Sequence, residues 1–520
     1  MLVFLRRTGG YSNKSTMTDR TALNHRHSGA QLWALFALIV YTPLPLASDR
    51  PWAIALLALL TGGLLLWVIW QPVGRTPAGV LKCAGIPLAL LGLWMLLLLV
   101  QLMPVRALGI SLSGNRALFD GATISLDAYF TRVYFAQACI LTAVFWLVVT
   151  LVNSRQKMEQ LVRVFVFSGL LQALIGVVLM STGTTFELFF TPMRDARAHG
   201  SFVSPNNLAG YLELTLAVGI GLMIAKLDGR ASRNWRHRLH GWIGLLLSGK
   251  AMLRLSLIIM VVGLVASRSR MGNAAFFASL LVTGLLTLIV TKYGSQKSQG
   301  EGNTTRAMIV FITSLIVLDV VIIGGVVGVE KVVERIEYTN LQTQQVEPLV
   351  VEPAGPVAVK GPDVVKAPVV LGHRQEESVE HRSEVARASI PIVRDFLWAG
   401  TGGGTFQLAF PRYRPPEVTG FWDHAHNDYA EIACDTGLLG LLLLAALVLH
   451  SMYLSVRALA RSGDQFVRGM AFGSLMGVVS LLIHAWVDFN FQSPAVAMLF
   501  LIVLCIPYVH VGLNRTSMRV

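Results

Sequence analysis

Charged side chains are scarce in this chain. Only 14% of its 520 residues are Asp, Glu, Lys or Arg, against 54% hydrophobic, and mean hydropathy is +0.60. Ordinary soluble proteins carry about 25% charged residues, which excludes a cytosolic globular enzyme, an intrinsically disordered chain and a soluble nucleic-acid-binding domain. Cysteine is scarce too. Cys83, Cys139, Cys434 and Cys505 are scattered with no CxxC pair, so a disulfide framework has no support and neither does metal ligation. What the chain does have is long apolar runs, near the roughly 20 residues that one helical membrane crossing needs. It reads as an all-α polytopic membrane protein.

Twelve spans can be read: Ala30–Ser48, Trp52–Trp70, Ala84–Met103, Phe130–Val152, Leu161–Ser181, Asn206–Lys226, Met252–Ala266, Gly272–Thr291, Ala307–Gly328, Gly437–Val456, Gly469–Val487 and Pro494–Leu513. Residues 1–29 are a polar, basic tail without a cleavable signal pattern, so the first span is expected to be its own insertion signal. The net charge of +14 fits an orientation signal better than a nucleic-acid partner. With the N-terminus inside, cytoplasmic segments collect 25 Lys and Arg and the short external loops 8. Both termini (1–29 and 514–520) are therefore expected in the cytoplasm, with spans one to nine in 30–328, one large external loop in 329–436, and spans ten to twelve in 437–513.

That loop divides by composition. Thr339–Gly372 is rich in Pro, Val and Gln without a helical period, as expected of an extended, mobile insert. Glu376–Trp398 reads as an amphipathic helix with Val379, Val385, Ile390, Val393 and Leu397 on one face, kinked at Pro391. The glycine run Gly400–Gly404 lacks the Lys-Ser/Thr of a nucleotide loop; a turn or a close backbone approach accounts for it better.

Three external places hold unusual polar residues. Arg197 lies in the loop before the sixth span. Arg268 and Arg270 share the tight turn Ser267–Gly272, against the inside bias of the charge rule. Arginine near the membrane plane is expensive unless it is paired or serves a ligand, and its rigid donor fork suits phosphate oxygens; the alternative is snorkelling to lipid headgroups. The third place is Asp423-His424-Ala425-His426-Asn427-Asp428. His426 can take or give a proton near neutrality, and Asp423 and Asp428 are positioned in sequence to orient it or raise its pKa. A zinc site from His424, His426 and Asp428 lacks the helical spacing that puts ligands on one face. Within the spans, Asp319 is the residue to test for a proton-coupled transporter, whereas Glu213 and His484 suit interhelical hydrogen bonds.

His426-Asn427, nine residues, then Gly437-Leu438-Leu439-Gly440 resembles the His-Asn/Ser/Gln, nine-residue, Gly-x-x-Gly signature of the bacterial O-antigen ligase and polymerase superfamily. Arg197–Phe202 through Pro205-Asn206-Asn207 and Gly210-Tyr211 resembles its Arg-x-x-Gly-Thr/Ser-Phe-x-Asn-Pro-Asn segment, with Ser204 where Asn is frequent. Ser269-Arg270-Met271-Gly272 resembles its Ser-Arg-Gly-Gly turn, with Met271 where Gly is common. Arg387 to Phe406 resembles its helix leading into a glycine-rich turn. The similarity spans about Arg197–Gly440, and the Thr339–Gly372 insert has no counterpart in the pattern.

The resemblance implies a GT-C-like fold of about 12 transmembrane helices with one large, partly helical periplasmic loop, in the bacterial inner membrane. It implies an inverting glycosyltransferase that uses no cofactor, nucleotide or metal. The donor would be a glycan on undecaprenyl diphosphate. The acceptor would be lipid A–core, another lipid-linked glycan, or a protein. Arg197 and Arg270, with Arg268, would hold the diphosphate; His426 would be the general base, supported by Asp423, Asn427, Asp428 and His424. A lipid-linked glycan transporter is the reading from another class; a membrane scaffold would leave the outside arginines and His426 unexplained.

Overall fold

The computed structural model describes residues 29–71, 78–104, 123–182, 186–188, 191–193, 197–226, 249–293, 379–418 and 420–517. The expected ninth span Ala307–Gly328 with Asp319, and the insert Thr339–Gly372, lie outside the described residues.

The described chain is a helical bundle. In chain order it contains α1 (Gly29–Tyr41), α2 (Pro51–Trp70), α3 (Ala78–Gln101), α4 (Ala128–Leu151), α5 (Arg155–Thr182), α6 (Pro205–Ala225), α7 (Gly249–Ala266) and α8 (Arg270–Tyr293). Three short helices follow, α9 (Val379–Ala388), α10 (Ile390–Asp395) and α11 (Phe406–Tyr413), and then α12 (Asp428–Arg461), α13 (Gln465–His484) and α14 (Pro494–Ser517). Among the described residues, eight helices are long and apolar enough to cross a membrane, and Gly29–Tyr41, Ala251–Ala266 and Pro494–His510 are shorter apolar helices. The reading as a multi-pass, essentially all-helical membrane protein stands. One departure is a small antiparallel hairpin between α5 and α6, pairing β1 (Phe186–Leu188) with β2 (Thr191–Met193).

Other expectations shift at their edges, each for a physical reason. The first helix ends at Tyr41 rather than Ser48 because Pro43 and Pro45 follow, neither of which can donate a backbone hydrogen bond. The helix expected over Glu376–Trp398 is broken at Ser389, just before Pro391. The break changes the register. Val385 stays buried, but Ile390 and Leu397 face outward, and Ile392 and Phe396 are buried instead.

At the centre, α6 and α13 are buried along most of their length. Small residues let their backbones meet, as is common between membrane helices. A Cβ on Gly221 would lie 2.5 Å from the Gly469 carbonyl oxygen, and one on Gly473 would lie 2.8 Å from that of Ala217. On the periphery, α2 turns Leu59, Leu66 and Trp70 outward. A protein dissolved in lipid gains nothing by hiding such groups, so their exposure marks the lipid-facing side.

A second, smaller core lies under the loop helices, where Val385, Ile392, Phe396, Phe406, Phe410, Trp422, Ala425 and Cys434 pack together. It is fastened to the bundle by a backbone crossing. The amides of Thr401 and Gly402 donate to the Cys434 and Asp435 carbonyls, and Leu438 and Leu439 donate back to Leu397 and Trp398. Gly400 and Gly437 meet at this crossing, both with positive φ. A Cβ on either would lie 2.4–2.6 Å from the opposing backbone, so the glycine run serves a close approach. The buried Asp435 carboxylate accepts from the Gly404 and Thr405 amides at the start of α11. Gln101, ending α3, clasps the same turn through the Ala399 carbonyl and the Gly403 amide.

Candidate functional site

The arginine turn is built by its serines. Ser267 and Ser269 are buried, whereas Arg268 and Arg270 are exposed. Ser267 donates to the Leu264 carbonyl, and the Ser269 hydroxyl accepts from the Gly272 amide. This alternation turns both guanidiniums outward. Arg268 adopts φ +50°, uncommon outside glycine and a sign of a constrained turn. Gly272 is required by contact, since a Cβ there would lie 2.7 Å from the Ala209 methyl and 3.0 Å from a Glu213 carboxylate oxygen. The steric demand thus falls at position 272, which explains how Met271 is tolerated beside it.

Arg197 is brought to this turn. The Ala198 amide donates to the Ala266 carbonyl, the last residue of α7, so the half-buried Arg197 is anchored one residue short of Ser267. The following residues are pinned by Gln172 of α5, whose side-chain oxygen accepts from the Ser201 amide and hydroxyl. Ser204 then caps α6.

The histidine segment is held from three directions. Asn427 caps α12 through the Ala430 amide and donates to the Trp486 carbonyl at 2.8 Å. The Asp428 amide donates to the Ala485 carbonyl, and its carboxylate accepts from the Phe491 amide. Glu431 accepts from the Ala425 amide at 2.9 Å and pairs with His424 Nδ1 at 2.7 Å. His426 is buried between rings, edge-on to Trp422 at 5.4 Å and to Phe489 at 4.9 Å, while Phe489 stacks on His424 at 4.4 Å. Its φ of +48° is a strained conformation for a side chain of this size, of the kind concentrated at working sites.

The two histidines end in opposite states. Burial pushes His426 down, the Arg382 charge pushes the same way, and its pKa falls to about 4. Burial would lower His424 too, but the carboxylates of Glu431, Asp423 and Asp49 outweigh it and raise its pKa to about 9. At neutral pH His424 is an imidazolium and His426 a neutral imidazole, able to accept a proton. Of the two aspartates expected to orient His426 or raise its pKa, Asp423 does push it upward, but burial and the Arg382 charge outweigh it. The Asp428 carboxylate is engaged by Phe491, and burial decides the direction.

One continuous set of contacts joins the histidine segment to the arginine turn. Glu213, against which Gly272 packs, accepts from Ser480 at 2.7 Å and pairs with His484 Nδ1 at 2.8 Å. Interhelical bonding was expected of each residue; the structure makes them each other's partner. His484 Nε2 lies 3.8 Å from Asp488, and Asp488 holds Arg382 Nη1 at 3.1 Å. Arg382 also donates to the Val487 carbonyl.

Arg382 was absent from the sequence reading. Its signal was helical spacing: it precedes Val385 by three residues on α9, so the two share a face, and Val385 is buried. Glu431 was missed as well, being one acid among several near the start of an apolar run.

Beside the histidine segment lies an apolar cavity of about 320 Å³ between α2, α3, α4, α12 and α14, with Leu91, Trp94, Tyr134, Tyr429, Phe491 and Met498 in its wall. Tyr429 and Phe491 in its wall adjoin the histidine segment through Asp428.

Residues 255–445 match the family described as O-antigen ligase. The matched stretch holds Arg268, Arg270, Arg382, both histidines and the glycine crossing, whereas Arg197 precedes it. The match supports membership of the O-antigen ligase superfamily, as the motifs implied, and indicates a membrane enzyme of the ligase and polymerase kind. No curated protein gives a match.

Proposed function

We propose that the chain transfers an oligo- or polysaccharide from undecaprenyl diphosphate to an acceptor hydroxyl at the periplasmic face of the bacterial inner membrane. The bundle would have twelve spans and a GT-C-like arrangement, with both termini cytoplasmic and residues 329–436 periplasmic. The observation that carries this reading is the pair of site halves joined through Glu213, His484 and Asp488. Cations stand at one end, Arg268 and Arg270 on the turn and Arg197 on the segment bonded beside it, and a neutral, buried His426 at the other.

In this mechanism, the arginines hold the diphosphate and stabilise the charge that grows on it as the anomeric C–O bond breaks. His426 takes the proton of the acceptor hydroxyl as its oxygen attacks the same carbon, and a single displacement inverts the anomeric centre. A diphosphate leaves without a strong acid, so fixed cations and one base suffice, with no metal required. Asn427 and Asp428 fix the base by capping and anchoring its segment. His424 is a charged neighbour held by Glu431. The apolar cavity beside Tyr429 suits the isoprenoid or acyl chain of a lipid-borne substrate.

Reconstitution of the purified chain with a polyprenyl-diphosphate glycan and three acceptors tests this: a lipid A–core, a second lipid-linked glycan and a Ser/Thr-bearing protein. Transfer to one of them is expected, and His426→Ala should lower its rate about 10²–10⁴-fold with membrane insertion unchanged. Movement of the lipid-linked glycan across vesicles without transfer would favour a transporter. Full activity in His426→Ala would remove the base assignment.

A further inference from the structure

Arg382 is a charged group of the histidine end that the reaction just described leaves unused. Its guanidinium is only 18% exposed and is held by Asp488, itself 1% exposed. Nη1 donates to both Asp488 and the Val487 carbonyl, while Nε is buried with no hydrogen-bond partner among the described residues. A guanidinium offers five N–H donors in a rigid fork. A tether for α9 would use the one edge already engaged, and a buried N–H left unmatched is costly. The remaining donors ask for an oxygen acceptor, best an anionic one.

Which substrate supplies that oxygen follows from the displacement. The attacking hydroxyl and the leaving diphosphate stand on opposite sides of the anomeric carbon. The base must be within hydrogen-bond reach of the attacking hydroxyl, so the His426 side is the acceptor side. Arg197 and the turn of Arg268 and Arg270 are left for the diphosphate. Arg382 is held by Val487 and Asp488, and the next residue, Phe489, packs its ring on His426 at 4.9 Å, so Arg382 belongs with the acceptor.

We propose that Arg382 binds an anionic oxygen, phosphoryl or carboxylate, carried by the acceptor beside its reacting hydroxyl, and so selects anionic acceptors over neutral ones. The inference rests on the transferase reading above. During the step, the acceptor oxygen bonds to the anomeric carbon, its proton passes to His426, and the donor C–O bond breaks toward the diphosphate. Arg382 stays bound to the acceptor throughout and exchanges no proton. Such an acceptor would give the unmatched Nε its partner.

The test uses the full-length protein, one glycan donor, and one glycolipid acceptor in phosphorylated and phosphatase-treated forms. The wild type should favour the phosphorylated form by about 10–100-fold in kcat/KM, the scale of a lost charge-assisted contact. Arg382→Gln should erase that preference by raising KM for the phosphorylated acceptor well beyond any change on the neutral one, with KM for the donor in place. Arg382→Lys should restore part of it. An equal loss on both acceptors would reduce Arg382 to a tether. A raised donor KM would assign it to the diphosphate. A wild type without preference would overturn the proposal even if no variant folds, whereas a wild type that transfers to neither form would overturn the transferase reading itself.

Discussion

Replacing Glu431 with Gln removes the negative charge 2.7 Å from His424 while nearly keeping the side chain's size. His424 has a pKa of about 9 in the fold, against roughly 6.5 in an unfolded chain, so its charged form is stabilised by about 3 kcal/mol. The folded protein binds this proton more tightly than the unfolded chain. The contribution is therefore complete below pH 6.5 and fades as the pH rises to about 9. Wild-type stability should fall by about 3 kcal/mol across that window from this group, with a slope of at most about 1.4 kcal/mol per pH unit. With Gln at 431, burial works against the imidazolium with less opposition, His424 titrates lower, and the alkaline fall shrinks. The Ala425 amide also loses a charged acceptor, which weakens the variant at every pH, so the slope carries the information rather than the midpoint. Denaturant unfolding in detergent micelles, followed from about pH 6 to about pH 9.5 on both proteins, reads it. Identical slopes would refute the imidazolium assignment.

Other outcomes follow from single features. The kcat/KM for transfer should stay level from neutrality to about pH 5 and drop below that as His426 is protonated near pH 4; a limb near 6.5 would show that burial does not govern this histidine. Arg270→Lys should cut turnover about tenfold by removing the two-pronged contact that a guanidinium makes with phosphate; unchanged kinetics would favour headgroup anchoring. Gly437→Ala should cost at least about 3 kcal/mol, because it combines φ +66° with a Cβ 2.4 Å from the Trp398 backbone; a melting point within a degree or two of wild type would contradict the tight crossing. Deleting part of Thr339–Gly372 should leave expression and activity intact, and collapse of expression would contradict a mobile insert.

The membrane character was plain from the sequence because hydrophobic spacing is a local property. That Glu213 and His484 bond between helices was readable for a related reason, since a polar group in an apolar helix must find a partner on a neighbour; that they partner each other was not. The start of α12 was not. Its first turns carry Asp428, Glu431 and Asp435, which look like loop; Asp428 and Asp435 are satisfied by segments far away in sequence, at Phe491 and Gly404, while Glu431 is met by the chain folding back at His424. The protonation of His426 was misjudged because sequence proximity of two aspartates says nothing about desolvation by Trp422 and Phe489. Arg382 was hidden for the same reason: its partner Asp488 lies 106 residues away. Local pattern located the arginines and the histidine; the groups that tune them come from distant parts of the chain.

The crossing of Gly400 and Gly437 has an evolutionary corollary. Where two strips of main chain touch without side chains between them, neither can gain or lose a residue without dislodging the other. Insertion or deletion is thereby disfavoured within the two strips in contact, Leu397–Gly402 and Cys434–Leu439.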